Sequence, residues 1–327
     1  MLTPLVEAAD IVRLSEEGAK SHVGTITEIS ATEVKVLRAN VNTPISVPAL
    51  AISETQFNQE PPPLTAMRRA VMGSSFPDVL ETAQRLDPET IPNPFARQDY
   101  EFFKAFALGQ IALETPAKGE NLQKAITACM DFLRTHSNSY HYFPICELAG
   151  ELSLAAGNQE NAFQMYSRLA RAPWPASQLK ANTMLGAIRL EENRLEDARE
   201  FYETVLTSQD SSKEALRAKT EAEIGLAKCL IREGNWKTAI EQLDALSVKT
   251  DSEDARLQAS IYLTLGEACE AAENPREAVL AYLHVEILFP SAKTQYITAL
   301  KRLAVLWNKV NRPERAAEAE RILKTLE

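Results

Sequence analysis

The sequence predicts a mainly α protein, an α-solenoid of about six helix pairs preceded by a small all-β module. Three observations carry this. First, a pair of small residues twelve apart recurs along the chain: Gly150 with Ala162, Gly186 with Ala198, Ala227 with Ala239, Gly266 with Ala278 and Ala304 with Ala316. Second, a breaker stands inside each pair: Gly157-Asn158, Asn193-Arg194, Gly234-Asn235, Glu273-Asn274 and Asn311-Arg312. Gly and Asn tolerate the left-handed backbone that ends a helix. Third, residues 10–57 carry short β-branched runs with alternating polarity instead of helical spacing.

Taken in order, residues 1–9 read as a leader or the remnant of a signal peptide. Val6-x-Ala8 before Ala9-Asp10 is a small-residue cleavage pattern. It favours a periplasmic or exported protein over a cytoplasmic one, with the complete signal encoded upstream. Residues 10–57 form the β module. Asp10 to Leu14, His22 to Ile29 and Glu33 to Leu37 are strands, and Glu16 to Gly18 and Ser30-Ala31 are turns. Ile45, Val47, Leu50 and Ile52 supply one or two further strands around Pro44 and Pro48. So many short strands in so few residues imply a strongly bent sheet or SH3-like barrel. Residues 58–98 hold a linker and a capping helical hairpin. Gln59 to Pro63, with three consecutive prolines, reads as a stiff extended link. Leu64, Met67 and Val71 mark one arm, Gly73-Ser-Ser the break, and Phe76, Val79, Leu80 and Ala83 the other arm. Residues 99–327 are the repeat array.

The clearest repeat is Ala259 to Pro290. Tyr262, Leu265, Gly266 and Cys269 share one helical face, Pro275 starts a second helix, and Ala278, Tyr282 and Val285 share its face. Small residues at Gly266 and Ala278 let the two backbones approach. Tyr262 and Tyr282 are expected to fill the space around that contact. This stretch resembles the tetratricopeptide repeat family, whose pattern runs aromatic, Leu-Gly, large residue, Ala, aromatic, apolar, Pro. The repeat alanines Ala125, Ala162, Ala198, Ala239, Ala278 and Ala316 stand 36 to 41 residues apart. The family period is about 34, and the excess falls in links such as TSQDSSKEAL. The β module in turn resembles the small modules that precede such arrays in some bacterial envelope proteins of the planctomycete kind. The pattern D-I-V-x-L…V-G-x-I…V-x-V carries that likeness.

The resemblance implies a right-handed solenoid with the first helix of each pair lining a concave groove. Transferred to this chain, the groove residues are Phe103, Phe106 and Gln110, then Glu147 and Glu151, then Lys180 and Thr183. Ile224, Lys228 and Arg232 follow, then Leu263 and Glu267. An apolar stripe with charged rims suits a peptide or helix segment of a protein partner. The asparagines by which the chaperone-tail-binding members grip a carboxylate are absent: Gln110, Glu151, Ala187, Lys228, Glu267 and Val305 occupy those places.

Composition narrows the chemistry. A net charge of -10 argues against a nucleic-acid footprint. Phe57 is the one aromatic of residues 10–57, too few for a base- or sugar-stacking surface. The four cysteines (Cys129, Cys146, Cys229, Cys269) fall in predicted helices without a CxxC pair and read as small core residues. His136, His141 and Cys146 are spaced by five, which does not stack ligands on one helical face, so HSNSYHYF reads as a turn between repeats. No phosphate loop or nucleophile elbow occurs. The expectation is therefore a non-enzymatic scaffold with no catalytic residue, metal or cofactor, and with no membrane span. The alternative is a regulatory or accessory subunit whose activity lies on its partner.

Overall fold

A computed structural model describes residues 9–15, 20–115 and 119–326. The expected cleavage pattern and the turn at Glu16 to Gly18 lie outside these residues. The chain divides into two compact units, one ending at Gln178 and the other running from Leu179 to Glu327. The sheet and the first three helix pairs thus belong to one unit.

The β module is a five-stranded antiparallel sheet. Its strands are β1 (Asp10–Leu14), β2 (His22–Ile29), β3 (Glu33–Leu37), β4 (Ile45–Pro48) and β5 (Ile52–Gln56), in the order β4-β3-β2-β1-β5. Its two outermost strands are joined by a single 3₁₀ turn, Ala49–Ala51. In a flat sheet those strands would lie roughly 19 Å apart, too far for so short a link, so the sheet curls on itself. Val12, Ile26, Val34, Val36 and Val47 fill its interior. A Cβ on Gly24 would sit 2.2 Å from the carbonyl oxygen of Leu37, so β2 and β3 require glycine there. Asp10 is buried yet satisfied, for its two oxygens accept the backbone N–H of Ile26 and of Asn58, both at 2.7 Å.

Among the described residues the helices form seven pairs. The first unit holds α1 (Pro62–Met72) with α2 (Phe76–Arg85), α3 (Pro94–Glu114) with α4 (Gly119–Thr135), and α5 (Tyr142–Ala155) with α6 (Gln159–Leu169). Next come α7 (Pro175–Glu191), in which the division falls, and α8 (Leu195–Leu206). The second unit continues with α9 (Lys213–Arg232) and α10 (Trp236–Lys249), α11 (Ala255–Ala271) and α12 (Pro275–Leu288), and α13 (Lys293–Lys309) and α14 (Pro313–Leu326). The proline run is not an extended link throughout. Pro61 caps α1, and Pro62 and Pro63 open it, because first-turn N–H groups have no helical partner to lose.

Six of the seven inter-helix turns end the first helix identically. Ser74, Gly157, Asn193, Gly234, Glu273 and Asn311 take φ of 54°, 72°, 59°, 82°, 54° and 61°. The next residue then donates back to a carbonyl five positions earlier, as in Asn158 to Ser153 (2.8 Å) and Asn274 to Cys269 (2.9 Å). This is the Schellman closure. The pair α1/α2 shares it, through Ser75 to Ala70 at 2.8 Å.

The recurrent glycine is filled by the tyrosine of the second helix. A Cβ on Gly150, Gly186 or Gly266 would lie 2.8, 2.6 or 2.5 Å from the ring of Tyr166, Tyr202 or Tyr282. All three rings are buried. Tyr202 is also pressed by Gly225 of the following pair, at 2.2 Å from a built Cβ. Tyr262 packs against the core cluster that holds Ala278 and Tyr282 and stacks on His284, with ring centroids 4.6 Å apart. Where the small residue is Ala227, the residue four past the next alanine is Leu243 instead of tyrosine.

Candidate functional site

Two features present chemistry: the exposed positions of the first helices, and a charged network beneath a cavity in the first unit.

In the second unit, α9 packs beside α11 and α11 beside α13. Polar pairs stitch neighbouring first helices. Arg217 reaches Asp254 at 2.8 Å, Gln295 reaches Ser260 at 3.1 Å, and Arg302 Nε donates to Glu270 at 2.8 Å. The last pair extends inward, since the Tyr282 hydroxyl also donates to Glu270 at 2.9 Å. Of the groove residues named from sequence, Lys180, Arg232 and Glu267 are exposed. Phe106, Gln110, Glu147, Glu151, Lys228 and Leu263 are half-buried. Phe103, Thr183 and Ile224 are buried, at 5%, 7% and 6% exposure. These three face inward because a first helix is covered on more than one side by its neighbours. Ile224 accordingly belongs to a core cluster with Ala227, Leu243 and Ile261, and Thr183 spends its hydroxyl on the carbonyl of Leu179. Arg232 lies 3.9 Å from Glu191 of α7, an exposed pair that adds little stability.

In the first unit a network joins β5, α1, α3 and the turn before α5. Asp99 is fully buried. Its Oδ1 accepts from the Tyr140 hydroxyl and His141 Nε2, both at 3.0 Å. Its Oδ2 accepts from the Thr55 hydroxyl at 3.0 Å and from Arg68 at 3.3 Å. Thr55 and Tyr140 also touch at 2.7 Å, so two hydroxyl protons serve three contacts. Arg68 grips Glu60 with both terminal nitrogens, at 2.5 and 2.9 Å. Glu60 further accepts from the Thr65 hydroxyl and the Phe57 N–H. His141 lies flat on Phe102, centroids 3.5 Å apart. Burial pushes the Asp99 carboxyl upward, but its bonds and charges with His141, Arg68 and Thr55 outweigh that and hold it below its ordinary value. Burial dominates at His141 and pulls the imidazole below its ordinary 6.5 against the attraction of Asp99. The pair therefore stands as a carboxylate and a neutral ring.

Over this floor opens a cavity of about 270 Å³. Thr55, Arg68, Asp99, Tyr140 and His141 meet it from below, and Ile52, Val71, Met72, Phe102, Phe103 and Phe106 surround it. The turn HSNSYHYF is where the sequence places it, between α4 and α5, but His141 is buried in the network and is not a bystander on the surface. The sequence reading missed Arg68 and Asp99. The available signal was their position on apolar stripes, Arg68 beside Leu64, Met67 and Val71, and Asp99 in register with Phe103 and Phe106. Among the described residues no group of His, Cys, Asp and Glu has the arrangement of a metal site, and no helix is long and apolar enough to cross a membrane. The four cysteines are free and buried, and burial lifts the Cys129 and Cys146 thiols to about 12.

No protein-family model matches the chain, and no curated protein matches it in sequence. Solved structures do match in fold. The apo form of RapI aligns over 80% of this chain and 75% of its own, at 12% identity with a TM-score of 0.51. A Rap protein complexed with competence and sporulation factor aligns over 80% and 74%, at 12% identity with a TM-score of 0.53. A tetratricopeptide repeat protein from Parabacteroides merdae aligns over 79% and 97%, at 15% identity with a TM-score of 0.47. At such identities the likeness is one of architecture: this chain has a tetratricopeptide-type helical-repeat fold carrying a small antiparallel β module at its N-terminal side.

Proposed function

We propose that this chain is a non-catalytic scaffold that holds a segment of a protein partner in the concave groove lined by its first helices. The observation that carries the reading is the continuous row of first helices in the second unit. They are tied laterally by Arg217–Asp254, Gln295–Ser260 and Arg302–Glu270. That row offers Lys228, Arg232, Leu263 and Glu267 at its exposed or half-exposed positions, and exposed Lys180 stands on α7, whose Glu191 lies 3.9 Å from Arg232. A mixed stripe of this kind suits an extended segment or an amphipathic helix, and repeat solenoids commonly bind along such surfaces. One of the structural neighbours is a Rap protein complexed with competence and sporulation factor, which is consistent with a ligand held by this architecture. The domain organisation proposed with it is a β module over residues 10–57, a link and capping hairpin over 58–98, and the array from 99. An exported or periplasmic location is part of the same proposal.

The test is affinity capture from the native organism with the full chain as bait, beside a bait carrying Lys228→Glu and Arg232→Glu. Both positions are at least partly exposed, so the double variant leaves the core intact, which its thermal melt verifies. A partner retained in stoichiometric amount by the first bait and lost by the second supports the reading. Equal capture by both removes the first-helix row as the binding surface.

A further inference from the structure

Buried charge does not balance beneath the cavity of the first unit. Asp99 and Glu60 are two carboxylates whose side chains are 0% and 4% exposed. One guanidinium, that of Arg68, serves both, at 2.5 Å from Glu60 and 3.3 Å from Asp99. It is committed chiefly to Glu60, which it grips through both terminal nitrogens. The other partners of Asp99 are uncharged: the hydroxyls of Thr55 and Tyr140 and the neutral ring of His141. The remaining charged side chain on the cavity, Glu54, is matched by Arg13 at 2.6 Å. One negative charge is thus left without a cation of its own. Buried charges are ordinarily paired, and an uncompensated one is costly. Asp99 meets the cavity, and the cavity is where a compensating cation has room.

The walls decide the kind of cation. Ile52, Val71, Met72, Phe102, Phe103 and Phe106 present carbon. Both oxygens of Asp99 already accept two hydrogen bonds each, which fills a carboxylate. A metal ion or a primary ammonium binds through direct contacts with oxygen and gains none from Asp99. Among the described residues no group of His, Cys, Asp and Glu has the arrangement of a metal site. A quaternary ammonium carries no N–H, spreads its charge over its methyl groups and packs well against aromatic rings. It needs no open oxygen, because the attraction of Asp99 acts through space and is strengthened in surroundings of low dielectric. The volume of about 270 Å³ exceeds the roughly 150 Å³ of a cavity that takes benzene, so a trimethylammonium group has room. Met72 lines the cavity and is 63% exposed, so the space is open to solvent on that side.

We propose that this cavity binds the quaternary ammonium group of a small organic cation, its methyls against the apolar wall and its charge balancing Asp99. The site goes beyond the scaffold reading and is independent of it, since it lies in the first unit and the partner row in the second. The test titrates the full chain with choline and follows the methyl resonances of Ile52, Val71 and Met72. The expected result is saturable shifts at these three, with a dissociation constant on the order of 1 mM for so small a probe. The uncharged tert-butyl isostere of choline has the same shape and should bind about tenfold more weakly or worse. Ethanolamine, a primary ammonium, should also bind more weakly than choline. Asp99→Asn and Glu60→Gln each cancel the excess charge, the second by leaving Arg68 to Asp99. Each should weaken choline about tenfold and leave the isostere unchanged. Should one of them melt early, the other carries this arm. Val71→Trp, filling the cavity from its wall, should abolish the shifts. Phosphocholine distinguishes the sources: binding tighter than choline assigns the group to a lipid headgroup, and weaker binding assigns it to a free cation. Choline shifts that fail to saturate, are matched by the isostere or by ethanolamine, or persist undiminished in the neutralised or filled variants overturn the proposal.

Discussion

Glycine and tyrosine exchange volume across three of the helix pairs. Gly266 has space for a hydrogen because the Tyr282 ring occupies the place of a Cβ, whereas Ala227 coexists with the smaller Leu243. Ala in a helix is intrinsically better than Gly by about 1 kcal/mol, but overpacking a buried ring costs about 1–3 kcal/mol. Gly266→Ala is therefore expected to destabilise the second unit in urea denaturation. Adding Tyr282→Leu should recover part of that loss, although it also removes the hydroxyl bond to Glu270. Additive losses in this double-mutant cycle would contradict the volume argument. A second position is strained without packing cause. Glu273 holds φ of 54° at a turn where Gly157 and Gly234 supply glycine. Glu273→Gly should raise stability by about 0.5–1 kcal/mol, measured by the same denaturation midpoint.

At the scale of elements, the sheet is joined to the helices by a polar latch. Thr55 on β5, Arg68 on α1, Asp99 on α3 and Tyr140-His141 before α5 converge on one carboxylate. Removing that carboxylate leaves buried donors unmatched, and Asp99→Ala is expected to cost about 3 kcal/mol or more. Acid should act on the same latch. The folded pKa of His141 and that of Asp99 are both lowered from their ordinary values of 6.5 and 3.8. The unfolded chain consequently binds more protons in each window, and stability falls as pH falls. The thermal midpoint should decline on acidification below about pH 6.5, through His141, and again below about pH 4, through Asp99. His141→Phe should flatten the first decline. A midpoint that rises between pH 7 and pH 5 would contradict this assignment. These elements also mark what was legible in advance. The twelve-residue spacing and the Gly and Asn breakers are local signals, and they located the repeats and turns. The curled sheet followed from alternating β-branched runs. The latch was not legible, because its bonds join residues 31, 41, 42 and 44 positions apart, and no local period encodes such pairing. The groove residues fared unevenly for a related reason. Periodicity places Phe103, Thr183 and Ile224 on a helix face, but which faces the neighbouring pairs cover is settled by packing.

For the whole molecule, the fold is that of a helical-repeat protein, and recognition of a partner is the function proposed for it. The buried thiols are poor nucleophiles, and the His141–Asp99 pair is spent on structure. The most direct test of the central claim is lysine footprinting of the full chain with and without its captured partner. Lys180 and Lys228 lie on first helices, whereas Lys237 lies on a second helix and is exposed. The account predicts that the partner protects Lys180 and Lys228 from acetylation and leaves Lys237 reactive. Protection of Lys237 with Lys180 and Lys228 unchanged would contradict it.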